Sequence, residues 1–112
     1  MSCIFCKIVA GEIPAKKIFE DDRVLAFHDL AAQAPAHFLV VPKEHIESLA
    51  ETTAEHEPLL GHLAATAARI AAEQNLTAGY RTVINTGGQG GQTVNHLHLH
   101  VLGGRRMTWP PG

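Results

Sequence analysis

Apolar positions recur at two spacings along the chain, and the change between the spacings marks the elements. Residues 3–10 predict a short helix that ends at Gly11. Residues 18–20 and 24–27 are β-rich runs on either side of a charged turn, and they predict a hairpin. Residues 37–41 predict a further strand. The first part of the chain is therefore expected to form a helix followed by antiparallel strands.

The middle of the chain carries the clearest helical pattern. Its apolar residues recur every three or four positions and form one stripe: Leu59, Leu60, Leu63, Ala64, Ala67, Ile70 and Ala71. Thr53 is a candidate N-cap, and Asn75 or Gly79 can end the helix. Residues 81–85 and 96–102 predict two more strands. The predicted fold class is α+β, with a mostly antiparallel sheet, one long helix and a short N-terminal helix.

Length and composition limit the function classes. The 112 residues suit one domain, residues 1–112, in which residues 105–112 form a C-terminal tail. The net charge of -2 gives no global basic field, so we expect no nucleic acid partner, and local groups would have to hold a phosphate. Since no apolar run could span a bilayer and no signal segment is visible, we expect a cytoplasmic protein with no membrane association.

Three histidines alternate with apolar residues in the last predicted strand. His96, His98 and His100 share one face, because side chains alternate along a strand, and the residues between them face a core. An exposed histidine face is one interpretation, but solvated strand faces usually carry Thr, Lys and Glu. A single metal ion cannot bind all three histidines, since the outer two side chains lie roughly 13 Å apart. A third interpretation is nucleophilic catalysis by the central imidazole, held between its neighbours.

A glycine-rich loop, residues 86–93, leads directly into this strand. Its glycines let the backbone approach a ligand and present N–H groups to an anion. A phosphate held by the loop would lie beside the imidazoles, so the two features together favour chemistry at phosphorus.

Two cysteines near the start of the chain form a separate candidate site. Two residues separate Cys3 from Cys6, a spacing that suits two thiolates on one metal ion. A redox pair is the rival interpretation, although such a pair should follow a strand and open a long helix. A reduced, metal-free pair is the third.

Beyond these local patterns, the chain resembles a known family. The segment His-Leu-His-Leu-His-Val-Leu resembles the signature of the histidine triad (HIT) family. Residues 27–29, 34–43, 59–63 and 79–81 and the Trp-Pro-Pro-Gly ending resemble its HINT branch, so the resemblance covers essentially the whole chain. It implies the HIT fold and a purine nucleoside phosphoramidase, which releases AMP from an adenylated amine.

The resemblance also implies roles for individual residues. His98 would attack the α-phosphorus and form a covalent nucleotidyl-imidazole, His100 would contact the phosphate oxygens, and His37 would orient the nucleophile. The residues that contact the phosphate and the leaving group in the family correspond here to Asn85, Gly91, Gln92 and Thr93. Thr93 stands where close relatives usually have serine, so the leaving-group preference can shift.

Nucleoside and metal contacts follow from the same resemblance. Asp29 would hold the ribose hydroxyls. Four residues resemble the apolar residues that surround the base in the family, although each could equally be an ordinary core residue: Phe5, Ile8, Phe27 and Leu30. Some bacterial relatives hold zinc through a set of residues that corresponds here to Cys3, Cys6, His45 and His96. Structural zinc is therefore the expected cofactor, and no organic cofactor is expected.

Several functions stay open at this point. The first is the phosphoramidase, and the second is a hydrolase of dinucleoside polyphosphates or of a nucleotidyl sulfate. The third is a nucleotide-binding adaptor with incidental catalysis, and a nucleotidyl transferase is a milder alternative. Because relatives of this kind are homodimers, we expect a homodimer whose small-molecule partner is a purine nucleotide.

Overall fold

The computed structural model describes residues 3–112, so the first two residues of the predicted 1–112 domain lie outside it. The helices are α1 (Ile4–Val9) and α2 (Glu57–Glu73), and two 3₁₀ turns, Leu49–Glu51 and Ala54–His56, precede α2. The strands are β1 (Lys17–Glu20), β2 (Val24–His28), β3 (Ala36–Pro42), β4 (Tyr80–Val83) and β5 (Leu99–Gly103). No helix within residues 3–112 is long and apolar enough to cross a membrane.

The five strands form one antiparallel sheet in the order β1-β2-β3-β5-β4. The pairing of β3 with β5 places His37 opposite Leu102 and Leu39 opposite His100. The centre of the sheet thus brings together two histidines that are far apart in sequence. The predicted α+β class, with one long and one short helix, is confirmed.

The sheet separates two clusters of buried side chains. Helix α2 covers one face, and all of its predicted stripe is at least partly buried except Ala64, which is exposed. Helix α1 packs over the other face, where Phe5 and Ile8 join a cluster of strand residues: Leu25, Phe27, Leu39 and Val41. Each large apolar side chain buried in this way contributes about 1.5–3 kcal/mol before conformational entropy is counted.

Helix α2 begins at Glu57 and not at Thr53. Thr53 instead caps the 3₁₀ turn Ala54–His56. Pro58 lies in the first turn of α2, where the N–H group that proline lacks would have no hydrogen-bond partner within the helix. After the helix, Asn75 adopts a φ of 60°, the left-handed conformation that ends many helices. Asn75 therefore ends the helical segment, well before Gly79.

Candidate active site

The three histidines of the triad lie on one side of the chain, as the alternation predicts. The apolar residues between and after them join the core beneath α2: Leu97, Leu99 and Val101. On the other side, the ring of Phe5 in α1 meets the rings of His96 and His98 edge-on, with centroids 5.8 and 5.1 Å away. Helix α1 thus packs directly on the histidine side.

The strand predicted over residues 96–102 is too long, because β5 begins only at Leu99. Nε2 of His96 donates to the carbonyl of Pro42 at 2.8 Å. Proline has no N–H, and this carbonyl is already bonded to a side chain, so the ladder between β3 and β5 stops there. His96 and His98 therefore lie on an irregular segment before the strand, which bends at residues 94–96.

His98 is buried, and the backbone fixes its orientation. Its Nδ1 donates to the carbonyl of His96 at 2.7 Å, which leaves the lone pair of the neutral ring on Nε2. The ring of His100 lies alongside, with 4.9 Å between centroids. A nucleophile at phosphorus requires an unprotonated nitrogen that is held in one direction, and His98 supplies one.

A second series of hydrogen bonds ends at His100. The amide of Gln33 donates to Nδ1 of His37 at 3.0 Å, so the proton of the neutral His37 ring is on Nε2. This Nε2 lies 3.0 Å from Nδ1 of His100 and 3.4 Å from Oδ2 of Asp29. Burial, with the nearby His98 and His37 adding to it, lowers the pKa of His100 to about 4. His100 is therefore neutral near pH 7.

These contacts bear on the expected role of His37. The resemblance implies that His37 orients the nucleophile, and in this structure its ring contacts His100, the histidine beside His98, so its role stays a prediction. The carbonyl of His96 orients His98. Sequence reasoning missed this carbonyl and the amide of Gln33, because main-chain groups leave no signal in the residue type.

The glycine-rich loop is braced by two side chains that were expected to contact phosphate. Nδ2 of Asn85 donates to a carbonyl within the loop at 2.7 Å. The side-chain oxygen of Gln92 accepts from the amide of Gly87, and its nitrogen donates to the carbonyls of Glu47 and Val94. Both side chains therefore hold the shape of the loop in this structure, and their contacts to a ligand stay predictions.

Two glycines are required by the conformation of this loop. Gly91 has a φ of 80°, which side chains rarely adopt, and a Cβ on Gly90 would collide with the carbonyl oxygen of Thr86. The tight turn closes the loop on itself, since the amide of Gln92 donates to the carbonyl of Gly87 at 3.1 Å.

The predicted base-wall residues divide into two groups. Phe5, Ile8 and Phe27 belong to the core beneath α1 and are 4–7% exposed, whereas Leu30 is 89% exposed.

Asp29, the predicted ribose contact, is half-buried. Its Oδ1 accepts from the amide of Ala31 at 2.8 Å, and its Oδ2 faces His37. Its contact to a ribose stays a prediction.

Two cavities in residues 3–112 are lined by residues other than His98 and His100. A cavity of about 480 Å³ is lined by Cys3, Ile4, His45, Glu47 and residues 93–95, so Thr93 lies beside the cysteine pair. A larger cavity, of about 670 Å³, is lined by residues 75–81 and 104–107. Its lining contains no histidine or cysteine. The chemistry of the histidine cluster, and not the size of a cavity, thus identifies the candidate site.

Four side chains converge at a second cluster: Cys3, Cys6, His45 and His96. Their ligand atoms all lie within 4.8 Å of one another. The sulfur-to-Nδ1 distances are 3.4, 3.3 and 3.6 Å, and the two Nδ1 atoms are 3.2 Å apart. A tetrahedral zinc ion with ordinary bond lengths separates sulfur from nitrogen by about 3.6 Å and nitrogen from nitrogen by about 3.3 Å. The residues therefore fit zinc.

The protonation of this cluster also suits a cation. The bond from Nε2 of His96 to Pro42 leaves the lone pair of Nδ1 facing the cysteines, and burial lowers the pKa of His96. Burial raises the pKa of the Cys6 thiol, and the neighbouring Cys3 adds to this. A metal ion would offset the cost of forming a thiolate here.

Comparison with known protein families agrees with this geometry. The HIT domain family matches residues 10–107 of the chain. The chain belongs to the histidine triad (HIT) family. The alternating histidines and the sheet that carries them are thus the HIT domain itself, and α1 with its cysteines lies just before the matched segment.

Individual HIT proteins are similar over most of their length. An uncharacterised HIT-like protein of Synechococcus elongatus is 62% identical over 109 residues, which cover 97% of this chain and 96% of the relative. A protein of Arabidopsis thaliana named adenylylsulfatase HINT1 is 47% identical over 97% of this chain and 76% of its own length. A crystal structure of a HIT family hydrolase from Legionella pneumophila superposes with a TM-score of 0.97, at 48% identity, over 99% of this chain and 100% of that one.

Proposed function

We propose that this HIT protein is a HINT-branch hydrolase that cleaves purine nucleoside phosphoramidates at the α-phosphorus. One observation carries the proposal: Nδ1 of His98 is bonded to the carbonyl of His96, so Nε2 is free to act as the nucleophile. The neutral ring of His100 beside it supports the same chemistry. The name of the Legionella relative, a hydrolase, supports water as the final acceptor.

In the proposed first step, Nε2 of His98 bonds to the α-phosphorus, and the phosphorus–nitrogen bond to the leaving amine breaks. The hydroxyl of Thr93 gives the leaving amine its proton and regains one from solvent. An N–H of His100 bonds to a phosphoryl oxygen and stabilises the charge that develops there.

In the second step, water attacks the phosphorus and the phosphorus–imidazole bond breaks. AMP leaves with the hydroxyl of that water, and the remaining proton returns to solvent. His98 recovers its neutral ring with the proton still on Nδ1, ready for another cycle.

The test compares wild type with His98→Asn on a fluorogenic adenosine phosphoramidate. We expect a loss of about a thousandfold or more in the variant, because no other group in the site replaces the nucleophile. His28→Asn, which alters an exposed histidine at the end of β2, is the matched control and should keep wild-type activity. Equal rates for wild type and His98→Asn would remove His98 from the mechanism. If neither protein turns over but both bind AMP, the protein is a nucleotide-binding adaptor.

The name of the Arabidopsis relative, an adenylylsulfatase, favours cleavage of a nucleotidyl sulfate as the second candidate. Sulfate leaves without needing a proton, whereas an amine needs one, so Thr93→Val should slow only the phosphoramidate reaction, with Thr93→Ser as the control. Cleavage of dinucleoside polyphosphates stays a third possibility that the same assay can include.

We further propose structural zinc, held by Cys3, Cys6, His45 and His96. When bound, the ion would crosslink α1 to the segments after β3 and before β5, and it would take no part in the reaction. The homodimer, the purine preference and the cytoplasmic location stay predictions of the resemblance.

A further inference from the structure

One side chain of the C-terminal tail reaches the loop that precedes β3. Arg105 donates to the carbonyl of Gln33 from Nη2 at 3.0 Å and from Nε at 3.3 Å. The register of the sheet explains this contact: Ala36 in β3 pairs with Gly103 in β5, so the residues after Gly103 run beside those before Ala36. The contact therefore follows from the pairing of the two central strands.

The tail and the loop lie in close contact at this point. Gly104 has a φ of 87°, and a Cβ added there would lie 2.9 Å from Cβ of Pro35. Within the loop, Nε2 of Gln33 donates to the carbonyl of Ala31, and the amide of Ala31 donates to Asp29, both at 2.8 Å. The loop is thus built from short-range bonds, and Arg105 ties it to the far end of β5.

Gln33 links this tie to the histidines. Its carbonyl accepts from Arg105, and its amide donates to Nδ1 of His37. With Nδ1 as acceptor, His37 carries its proton on Nε2, which lies 3.0 Å from Nδ1 of His100. His100 must accept at Nδ1, so its own proton is on Nε2. That tautomer presents an N–H on the side of the ring away from His37.

We propose that Arg105 is a positioning residue, which by holding Gln33 sets the tautomer of His37 and, through His37, that of His100. Its catalytic meaning rests on the proposed function, because the Nε2–H of His100 is the donor assigned to the phosphoryl oxygen. The tautomers themselves do not depend on any substrate. Without Arg105 the Gln33 amide loses its fixed position, His37 can carry its proton on either nitrogen, and His100 is released to both tautomers.

The direct test reads the tautomers from long-range ¹H–¹⁵N spectra of the imidazoles in the ¹⁵N-labelled full chain. In wild type we expect the Nε2–H form for both His37 and His100. Arg105→Ala should give mixed tautomers at both rings, and Arg105→Lys, whose ammonium still donates to the Gln33 carbonyl, should restore most of the wild-type signature. Arg106→Ala, the exposed neighbour, is the matched control and should leave the spectra unchanged.

A second variant separates this relay from a general loosening of the tail. Gln33→Pro removes the amide donor and keeps Arg105, so it should produce the same mixed tautomers as Arg105→Ala. Wild-type tautomers in either variant, in protein that still unfolds cooperatively, would overturn the proposal.

Kinetics on the adenosine phosphoramidate give the second measurement. We expect kcat to fall about tenfold in Arg105→Ala with KM almost unchanged, because His100 acts on charge that develops in the transition state. A fall confined to KM would contradict the assignment. If the wild type shows no turnover, the proposed function fails, while the spectra still decide the role of Arg105.

Discussion

His98 and His100 are separated by one residue, yet their hydrogen bonds place the proton on different ring nitrogens. A backbone carbonyl takes the Nδ1–H of His98, whereas Nδ1 of His100 faces the protonated nitrogen of His37. One ring therefore offers a lone pair at Nε2 and the other an N–H at the same position. One residue type thus supplies, side by side, the lone pair of the proposed nucleophile and the N–H of the proposed donor to oxygen.

Thr66 shows the cost of a single polar atom in the core. It is fully buried in α2, and its Oγ1 is the only buried side-chain nitrogen or oxygen without a partner in residues 3–112. We expect Thr66→Val to raise the free energy of unfolding by about 1 kcal/mol, because it removes an unpaired hydroxyl from an apolar site. Chemical denaturation measures the change.

The matched control for that variant is Thr77→Val, which alters an exposed threonine and should stay within about 0.5 kcal/mol of wild type. A lower stability for Thr66→Val would contradict this expectation.

At the residue scale, sequence reasoning succeeds where geometry is local. The alternation from His96 to Val101 is enough to separate a histidine side from an apolar side, because the two-residue period of an extended chain needs no distant partner. It fails where a distant or main-chain group decides. Neither the contact of His37 with His100 nor the hydrogen bond from Arg105 to the carbonyl of Gln33 could be predicted from the residue types alone.

Among the elements, α1 depends most on its surroundings. Six residues are too few for a stable isolated helix, so its order comes from the burial of Phe5 and Ile8 and from the cysteines at its start. The spacing of the cysteines indicates two metal ligands and the resemblance adds His45 and His96, but only the fold brings these four side chains together.

Protein purified without a histidine tag should contain about one equivalent of zinc per chain. Removal of zinc by a chelator should lower the unfolding midpoint by at least about 4 °C, since the crosslink to α1 is lost. Elemental analysis and thermal unfolding provide the measurements, with Cys6→Ser as the variant that should lose the metal. Less than about half an equivalent in wild type would contradict the zinc site.

A carboxylate joins α2 to the turn between β1 and β2. His62 of α2 donates to Asp21 at 2.6 Å, and the amides of Arg23 and Val24 donate to the same carboxylate at 2.8 Å. Burial alone would raise the pKa of Asp21, but these three donors outweigh it and lower the pKa from 3.8 to about 2. The ionised carboxylate is thus held more tightly in the folded than in the unfolded chain.

The stability that Asp21 contributes is therefore complete above about pH 4 and is lost as the pH falls toward 2. We expect Asp21→Asn to lower the free energy of unfolding at pH 7 by about 1 kcal/mol, and the difference from wild type to vanish near pH 2. Asp22→Asn, at the exposed neighbouring carboxylate, should show no such dependence. Denaturation curves across this pH range would detect either result.

At the scale of the whole molecule, β4 lies at an edge of the sheet with Tyr80 exposed on it, and the apolar stripe of α2 leaves Ala64 uncovered. An exposed edge strand is a surface that pairs readily with another strand. A second copy of the chain that pairs with β4 would cover this edge, as expected for the homodimer that the resemblance implies.

Sedimentation at micromolar concentration should therefore give twice the mass of the chain. Tyr80→Lys should shift the protein toward monomer, because a lysine on the edge opposes pairing, whereas Leu30→Lys, at another exposed apolar residue, should not. A monomeric wild type would contradict the dimer.

Gln92 uses the oxygen and nitrogen of its side chain on three main-chain groups, so the chain itself holds the loop before the triad in one shape. The entropy lost in ordering that segment is incurred during folding and not during each encounter. A phosphate bound there, as proposed, would meet a rigid receptor, and selection among anions would rest on fit rather than on closure of a flexible segment. In a Gln92→Ala variant the loop of residues 86–93 would lose these bonds and would have to become ordered each time a ligand binds.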